Sequence, residues 1–145
     1  MSIRSAVAYG AVSAAVLDLI FAYLYYGFYL AITQTIAGGI LGRDAARSGG
    51  IATAILGAAL HFVIMFGWAG AYALLSRRAH WLRRWWFPCG LLYGFVIYVG
   101  MRVVILPLSA LHTSPWPIKW ELLHIAGHMV LVGLPIAWFA SRIKS

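Results

Sequence analysis

Asp18, His61, Arg102, Glu121, His124 and His128 are ionisable side chains set in stretches otherwise apolar enough to cross a bilayer. A charge at membrane depth costs about 2.5–3.5 kcal/mol on insertion scales unless it faces protein, meets a partner or does a job. Several chemistries match these residue types. Asp18 and Arg102, of opposite sign on the first and third apolar runs, predict a buried ion pair that fixes how those two helices dock. The same carboxylate beside a histidine would make a relay for a proton or ion. His61 and His128, on different helices, have the donors to ligate haem iron axially, with Arg102 and Lys119 placed to meet propionates. A mononuclear transition-metal site is a further option, drawing on His61, His124 and His128 with Glu121 or Asp18, because imidazole suits zinc, copper, iron and nickel. The plain alternative is a pair of histidines hydrogen-bonded within a core.

Some chemistries are excluded by number. Glu121-x-x-His124 is half of a di-metal bundle motif, but the completed site needs more carboxylates than the three acidic residues of the whole chain. No nucleotide-binding glycine loop, serine elbow or cysteine–histidine set is present, so no catalytic residue is assigned. Cys89 is the single cysteine, which rules out an internal disulfide.

The elements that must position these groups are legible in the hydropathy. The chain has 145 residues, 63% of them hydrophobic. Four runs, at about residues 5–30, 50–75, 87–111 and 120–140, reach the roughly 17–25 residues that a spanning helix needs. They leave no room for a separate soluble domain. The expectation is all-α: one transmembrane domain over residues 1–145, folded as a four-helix bundle. The first run begins after Arg4 like a signal peptide, yet it outlasts the usual apolar core and holds Asp18 in its middle, which favours an uncleaved spanning helix.

Small residues recur at i+4 steps and lead to the charges. They are Ala6, Gly10 and Ala14 before Asp18, then Thr53 and Gly57 before His61, and Gly90, Gly94 and Tyr98 before Arg102. Residues so spaced share a helix face, and small ones let a neighbouring backbone approach closely. Glu121, His124 and His128 share a face of the last helix. At a rise of about 1.5 Å per residue, His61 and His128 both lie roughly 13–17 Å from the outer ends of their helices, with Asp18 at similar depth. The tyrosines from Tyr23 to Tyr29 read as an interfacial aromatic belt. The connection from Thr33 to Ser48, rich in glycine, reads as either a short surface helix or an irregular re-entrant segment. Pro107 is expected to end the third helix, Pro115 and Pro117 to mark a turn, and Pro135 to kink the fourth.

The formal charge of +8 does not point to nucleic acid, because no folded basic surface exists outside the membrane collar. The loop Ser76–Trp86 is dense in arginine, and the positive-inside rule places it, with both termini, in the cytoplasm. Anionic lipid headgroups are the partner this basic excess would meet. Arg43, Arg47 and Lys119 fall on the outer face, with Asp44 beside them.

The runs GGILGRDAARSGGIATAILGAALHF, LLYGFVIYV, VVILPLSAL and HMVLVGLPIA resemble a family of small uncharacterised bacterial inner-membrane proteins. The resemblance spans most of the chain, from Asp18 to the last helix. It implies a four-helix integral protein of the bacterial inner (cytoplasmic) membrane and no particular biochemical role.

Two functions are compatible with these residues. One is a binding or transport-type protein, working as a homo-oligomer. Its outward-opening pocket, lined by Asp18, His61, Arg102, His124 and His128, would hold a small ligand, ion or proton. The other is an accessory subunit of a membrane complex, in which the polar cluster is structural.

Overall fold

The computed structural model describes residues 1–114 and 120–144, so Pro115, Pro117, Lys119 and Ser145 lie outside the described residues. Seven helices are present among them: α1 (Ile3–Tyr26), α2 (Ala31–Leu41), α3 (Arg43–Ser48), α4 (Gly50–Arg78), α5 (Trp81–Arg84), α6 (Trp86–Leu108) and α7 (Leu122–Ser141). No strand occurs among the described residues. Four of the helices, α1, α4, α6 and α7, are long and apolar enough to cross a membrane. The protein is an all-α, multi-pass membrane bundle. Leu24, Ile51, Ile55, Val63, Leu74 and Leu92 are exposed along these helices, as expected of side chains that face lipid.

Local chemistry sets the ends. The hydroxyl of Ser2 caps α1 by accepting from the backbone N–H of Ser5 at 3.1 Å. At the other end Gly27 takes φ +92°, a conformation open to glycine, and its N–H closes onto the Tyr23 carbonyl. The helix therefore stops at Tyr26, four residues short of the expected end, because the apolar pattern continues where the backbone cannot. The two prolines past the first turn of a spanning helix each follow a π-helical stretch: Met101–Ile105 before Pro107, and His128–Gly133 before Pro135, whereas Pro88 sits in the first turn of α6. Proline lacks an N–H and crowds the carbonyl four residues back, and a widened turn relieves both problems without breaking the helix.

Small residues decide which helices touch. Ala6, Gly10, Ala11, Ala14 and Ala15 are the buried residues of α1, and Gly10 lies against Ile136 of α7. A β-carbon at Gly94 would stand 2.2 Å from the His128 carbonyl oxygen, and one at Gly133 would stand 2.1 Å from that of Gly90. Helices α6 and α7 thus meet backbone to backbone. The face of α4 through Thr53, Gly57, His61 and Met65 is buried as its spacing predicts, and it continues through Ala69, Ala73 and Ser76. The α4–α6 seam is different. Large side chains fill it: Tyr93 donates its hydroxyl proton to the Trp68 carbonyl at 2.7 Å and packs on Tyr72, with ring centroids 4.7 Å apart.

The long connection from Thr33 to Ser48 is helical rather than irregular. It forms α2 and α3, and α2 buries Thr33, Gln34, Ala37 and Gly38. Gly57 makes this possible, since a β-carbon there would collide with the Thr33 carbonyl oxygen at 1.7 Å. Buried polar groups secure the junction. Thr53 donates its hydroxyl proton to the Ala46 carbonyl at 2.6 Å, and the Gln34 amide donates to that of Gly50 at 2.9 Å.

At the opposite end the termini meet. The amino group of Met1 donates to the Arg142 carbonyl at 2.9 Å, Lys144 N–H donates to the Met1 carbonyl at 3.1 Å, and Arg83 reaches the Ile143 carbonyl at 3.0 Å. The two termini and the arginine-rich loop around α5 therefore share one end of the bundle, as an even number of spans requires.

Candidate functional site

The polar residues of the spanning helices collect into two acid–base groups. The deeper one joins α1 to α4. His61 Nε2 lies 3.6 Å from an Asp18 carboxylate oxygen and 3.2 Å from the Ala15 carbonyl oxygen. The side chains are 8% and 15% exposed for His61 and Asp18, so the pair sits within protein rather than in lipid. An N–H on Nε2 donates to the Ala15 carbonyl, with the Asp18 carboxylate beyond hydrogen-bond reach; a proton on both ring nitrogens converts the histidine–aspartate contact into an ion pair.

The shallower group lies on α6 and α7. Glu121 pairs through one oxygen with His124 Nδ1 and through the other with Arg102, at 3.7 Å. These groups are more open, with Arg102 and Glu121 side chains 31% and 39% exposed. The turn geometry explains the reach. Glu121 precedes α7 in an extended conformation, and Arg102 lies in the π-helical stretch of α6, so both project from the same end. His124 also meets the Tyr26 hydroxyl at 3.3 Å, and its ring is surrounded by Phe21, Tyr25 and Tyr26, with centroids 4.8–5.7 Å away.

His128 occupies a third position. Its Nδ1 lies 2.9 Å from the His124 carbonyl oxygen, which fixes the proton on that nitrogen, and Tyr98 stands edge-on to its ring.

The expected pairing of Asp18 with Arg102 is corrected by this arrangement. Asp18 faces His61 and Arg102 faces Glu121. Helix α7 packs against both α1 and α6 and separates them, so opposite signs on the first and third spans do not meet. Of the two expected haem ligands, His61 has its Nε2 on the Ala15 carbonyl oxygen with Asp18 beside it, and His128 lies where α6 meets the α7 backbone. Lys119, the second expected propionate contact, lies outside the described residues. The proposed metal set also divides: His61 belongs to the deep pair, whereas Glu121 and His124 belong to the shallow one. No group of three His, Cys, Asp or Glu side chains suited to a metal occurs among the described residues.

Sequence reasoning missed Phe21, Tyr25 and Tyr26 as site residues, having read the tyrosines as an interfacial aromatic belt. The signal was present: Asp18, Phe21 and Tyr25 fall at i, i+3 and i+7, one face of α1. It also missed a cavity of about 410 Å³ between α2, α3 and α6, whose polar lining includes Gln34, Arg43, Arg47 and Arg102. Nothing in the spacing relates Arg102 to Arg43, more than fifty residues earlier.

No family model matches this chain, and no curated protein or solved structure is significantly similar to it.

Proposed function

We propose that this protein is a multi-pass inner-membrane protein of a bacterial cell whose outer-half polar groups bind and pass a small ion or proton. The observation that carries this reading is the buried Asp18–His61 pair. Two groups that exchange a proton easily are held 3.6 Å apart on separate helices, shielded from lipid by small-residue packing. Intramembrane ionisable residues of this kind commonly mark ion and proton pathways. Glu121, His124 and Arg102 supply a more exposed acid–base group on the way out. His128, one turn further along α7, bonds to the backbone carbonyl of His124.

Proteoliposomes containing a trapped pH dye, placed under a potassium diffusion potential, test this directly. Wild-type protein is expected to acidify the lumen faster than empty vesicles do. Asp18→Asn and His61→Gln are each expected to reduce that rate about tenfold or more, since each removes one member of the relay. A wild-type rate equal to that of empty vesicles would sink the proposal.

The orientation belongs to the same reading. The end holding the termini and the arginines around α5 is taken as cytoplasmic by the positive-inside rule. Cysteine labelling with a membrane-impermeant reagent on intact cells is expected to reach Ser48→Cys but not His80→Cys or Lys144→Cys, all exposed positions. Ser76 is unsuitable as an inside probe, because it is fully buried with its hydroxyl on the Ala73 carbonyl. The reverse pattern would place the polar groups in the cytoplasmic half.

A second reading, assembly with another membrane protein or a second copy, is favoured by one observation. Gly67 and Gly70 of α4 have no neighbouring atom near the position of a β-carbon, so this small-residue face is uncovered. Such faces allow close helix approach in membranes.

A further inference from the structure

Three guanidinium groups surround one cavity at the end of the bundle opposite the termini. Arg43 and Arg47 come from consecutive turns of α3, and Arg102 comes from the π-helical stretch of α6. Like charges gathered this way repel one another. Among the described residues only Arg102 has a carboxylate within ion-pair distance, namely Glu121, and no carboxylate stands so close to Arg43 or Arg47. Asp44 lies between those two in sequence but pairs with neither. Arg43 and Arg47, both exposed, are thus left without an ion-pair partner among the described residues.

The surroundings are suited to an anion. The remaining polar lining comes from Gln34, Thr35 and Thr113, with leucines completing the wall. Thr35 donates its own proton to the Ala31 carbonyl at 2.7 Å, so its position is set by its helix. The volume of about 410 Å³ exceeds what a bare inorganic ion fills and lies within the range of small organic ligand sites. Thr35 and Arg47 also line an adjoining cavity of about 360 Å³ that reaches Tyr26, the residue in contact with His124. Arg102 itself joins the anion cavity to the shallow acid–base group, through its pair with Glu121.

We propose that the cavity between α2, α3 and α6 binds a phosphoryl group carried on a small organic moiety, held by Arg43, Arg47 and Arg102. Guanidinium is the side chain best matched to phosphate oxygens, through paired N–H donors in a planar fork. A phosphate monoester carries close to two negative charges at neutral pH and can engage both guanidinium groups that lack a carboxylate partner. Glu121 competes for Arg102, so a bound phosphoryl group loosens the Arg102–Glu121 pair. The inference deepens the proposed outer-half site by naming a ligand class, and it requires no proton movement.

Two sources offer this chemistry: a soluble phosphate monoester and the headgroup of an anionic lipid. Equilibrium titration of the purified protein in neutral detergent with glycerol 3-phosphate reads the first. Native mass spectrometry of the protein with phosphatidic acid against phosphatidylcholine reads the second. Saturable binding is expected in at least one arm, weakened about tenfold for each guanidinium removed in Arg43→Gln and Arg43→Gln/Arg47→Gln. The matched double change Arg77→Gln/Arg78→Gln, at the other end of α4, controls for total charge and should leave binding within about twofold. Binding in the titration assigns a soluble ligand; binding only to phosphatidic acid assigns a lipid headgroup. Absence of saturable binding in both arms, or an equal loss in the Arg77/Arg78 control, overturns the proposal. Both measurements are made without a gradient, so failure here and failure of proton flux are separate results.

Discussion

Leucine in place of Gly94 is expected to destroy the α6–α7 interface, with the largest stability loss of any single change considered for this protein. The first added carbon would stand 2.2 Å from the His128 carbonyl oxygen and 2.5 Å from the Met129 Cα. Both are backbone atoms, so no rotamer change relieves the overlap. Overpacking against side chains costs about 1–3 kcal/mol. With backbone on both sides the helices must separate, and about 3 kcal/mol or more is the expected loss. Helix separation would also pull His128 away from Tyr98 and move Glu121 relative to Arg102. Gly70→Leu is the matched control, because no atom lies within 4 Å of its β-carbon position and leucine favours a helix more than glycine does. Thermal unfolding in detergent, followed by tryptophan fluorescence, should show a large drop for Gly94→Leu and little change for Gly70→Leu. Equal melting of the two variants would mean that α6 and α7 do not pack on this seam.

The second large effect concerns the deep acid–base pair. Asp18→Asn and His61→Gln should each destabilise the protein, and the double change should cost less than their sum. A coupling of about 1–3 kcal/mol is expected, because either single change leaves one buried group facing a partner that no longer complements it. The corresponding cycle between Asp18 and Arg102 should be additive within about 0.5 kcal/mol, since those residues share no contact. Unfolding of the three variants and wild type in each cycle, by heat or denaturant in one detergent, measures both couplings. Coupling of Asp18 to Arg102 in place of His61 would contradict the helix order, in which α7 separates α1 from α6. The cycle is independent of function. A protein that carries no protons would still show it if the pair is structural, and the flux assay distinguishes these cases.

The shallow group is more exposed than the deep pair. Glu121 serves Arg102 and His124 together, and Tyr26 provides His124 with a further partner. Its interactions are therefore exchangeable at modest cost, as surface ion pairs are. That property suits a site where an entering anion competes for Arg102, whereas the deep pair suits a site that must remain dry.

Sequence alone determined the membrane class, the number of spans, the common end of the two termini and most of the buried faces. The reason is physical: a spanning helix must satisfy its backbone internally, and this limits the choice to length, hydropathy and a face of small residues. Thr53, Gly57, His61 and Met65 of α4 are a case in which i+4 spacing predicted burial, and all four are buried. Stopping points were less legible. Helix α1 ends at Gly27 because of a backbone conformation, while Phe28 and Leu30 continue the apolar run. Pairing was decided only in three dimensions. A helix face indicates that Asp18 turns inward, but the order of helices around the bundle decides what it meets, and that order depends on which glycines abut which backbones. Gly94 and Gly133 join α6 to α7, the small residues of α1 pack it between α4 and α7, and Asp18 is thereby left facing His61. The convergence of Arg43, Arg47 and Arg102 has the same origin. It depends on α2 docking into the space above Gly57, a long-range contact that no local spacing encodes.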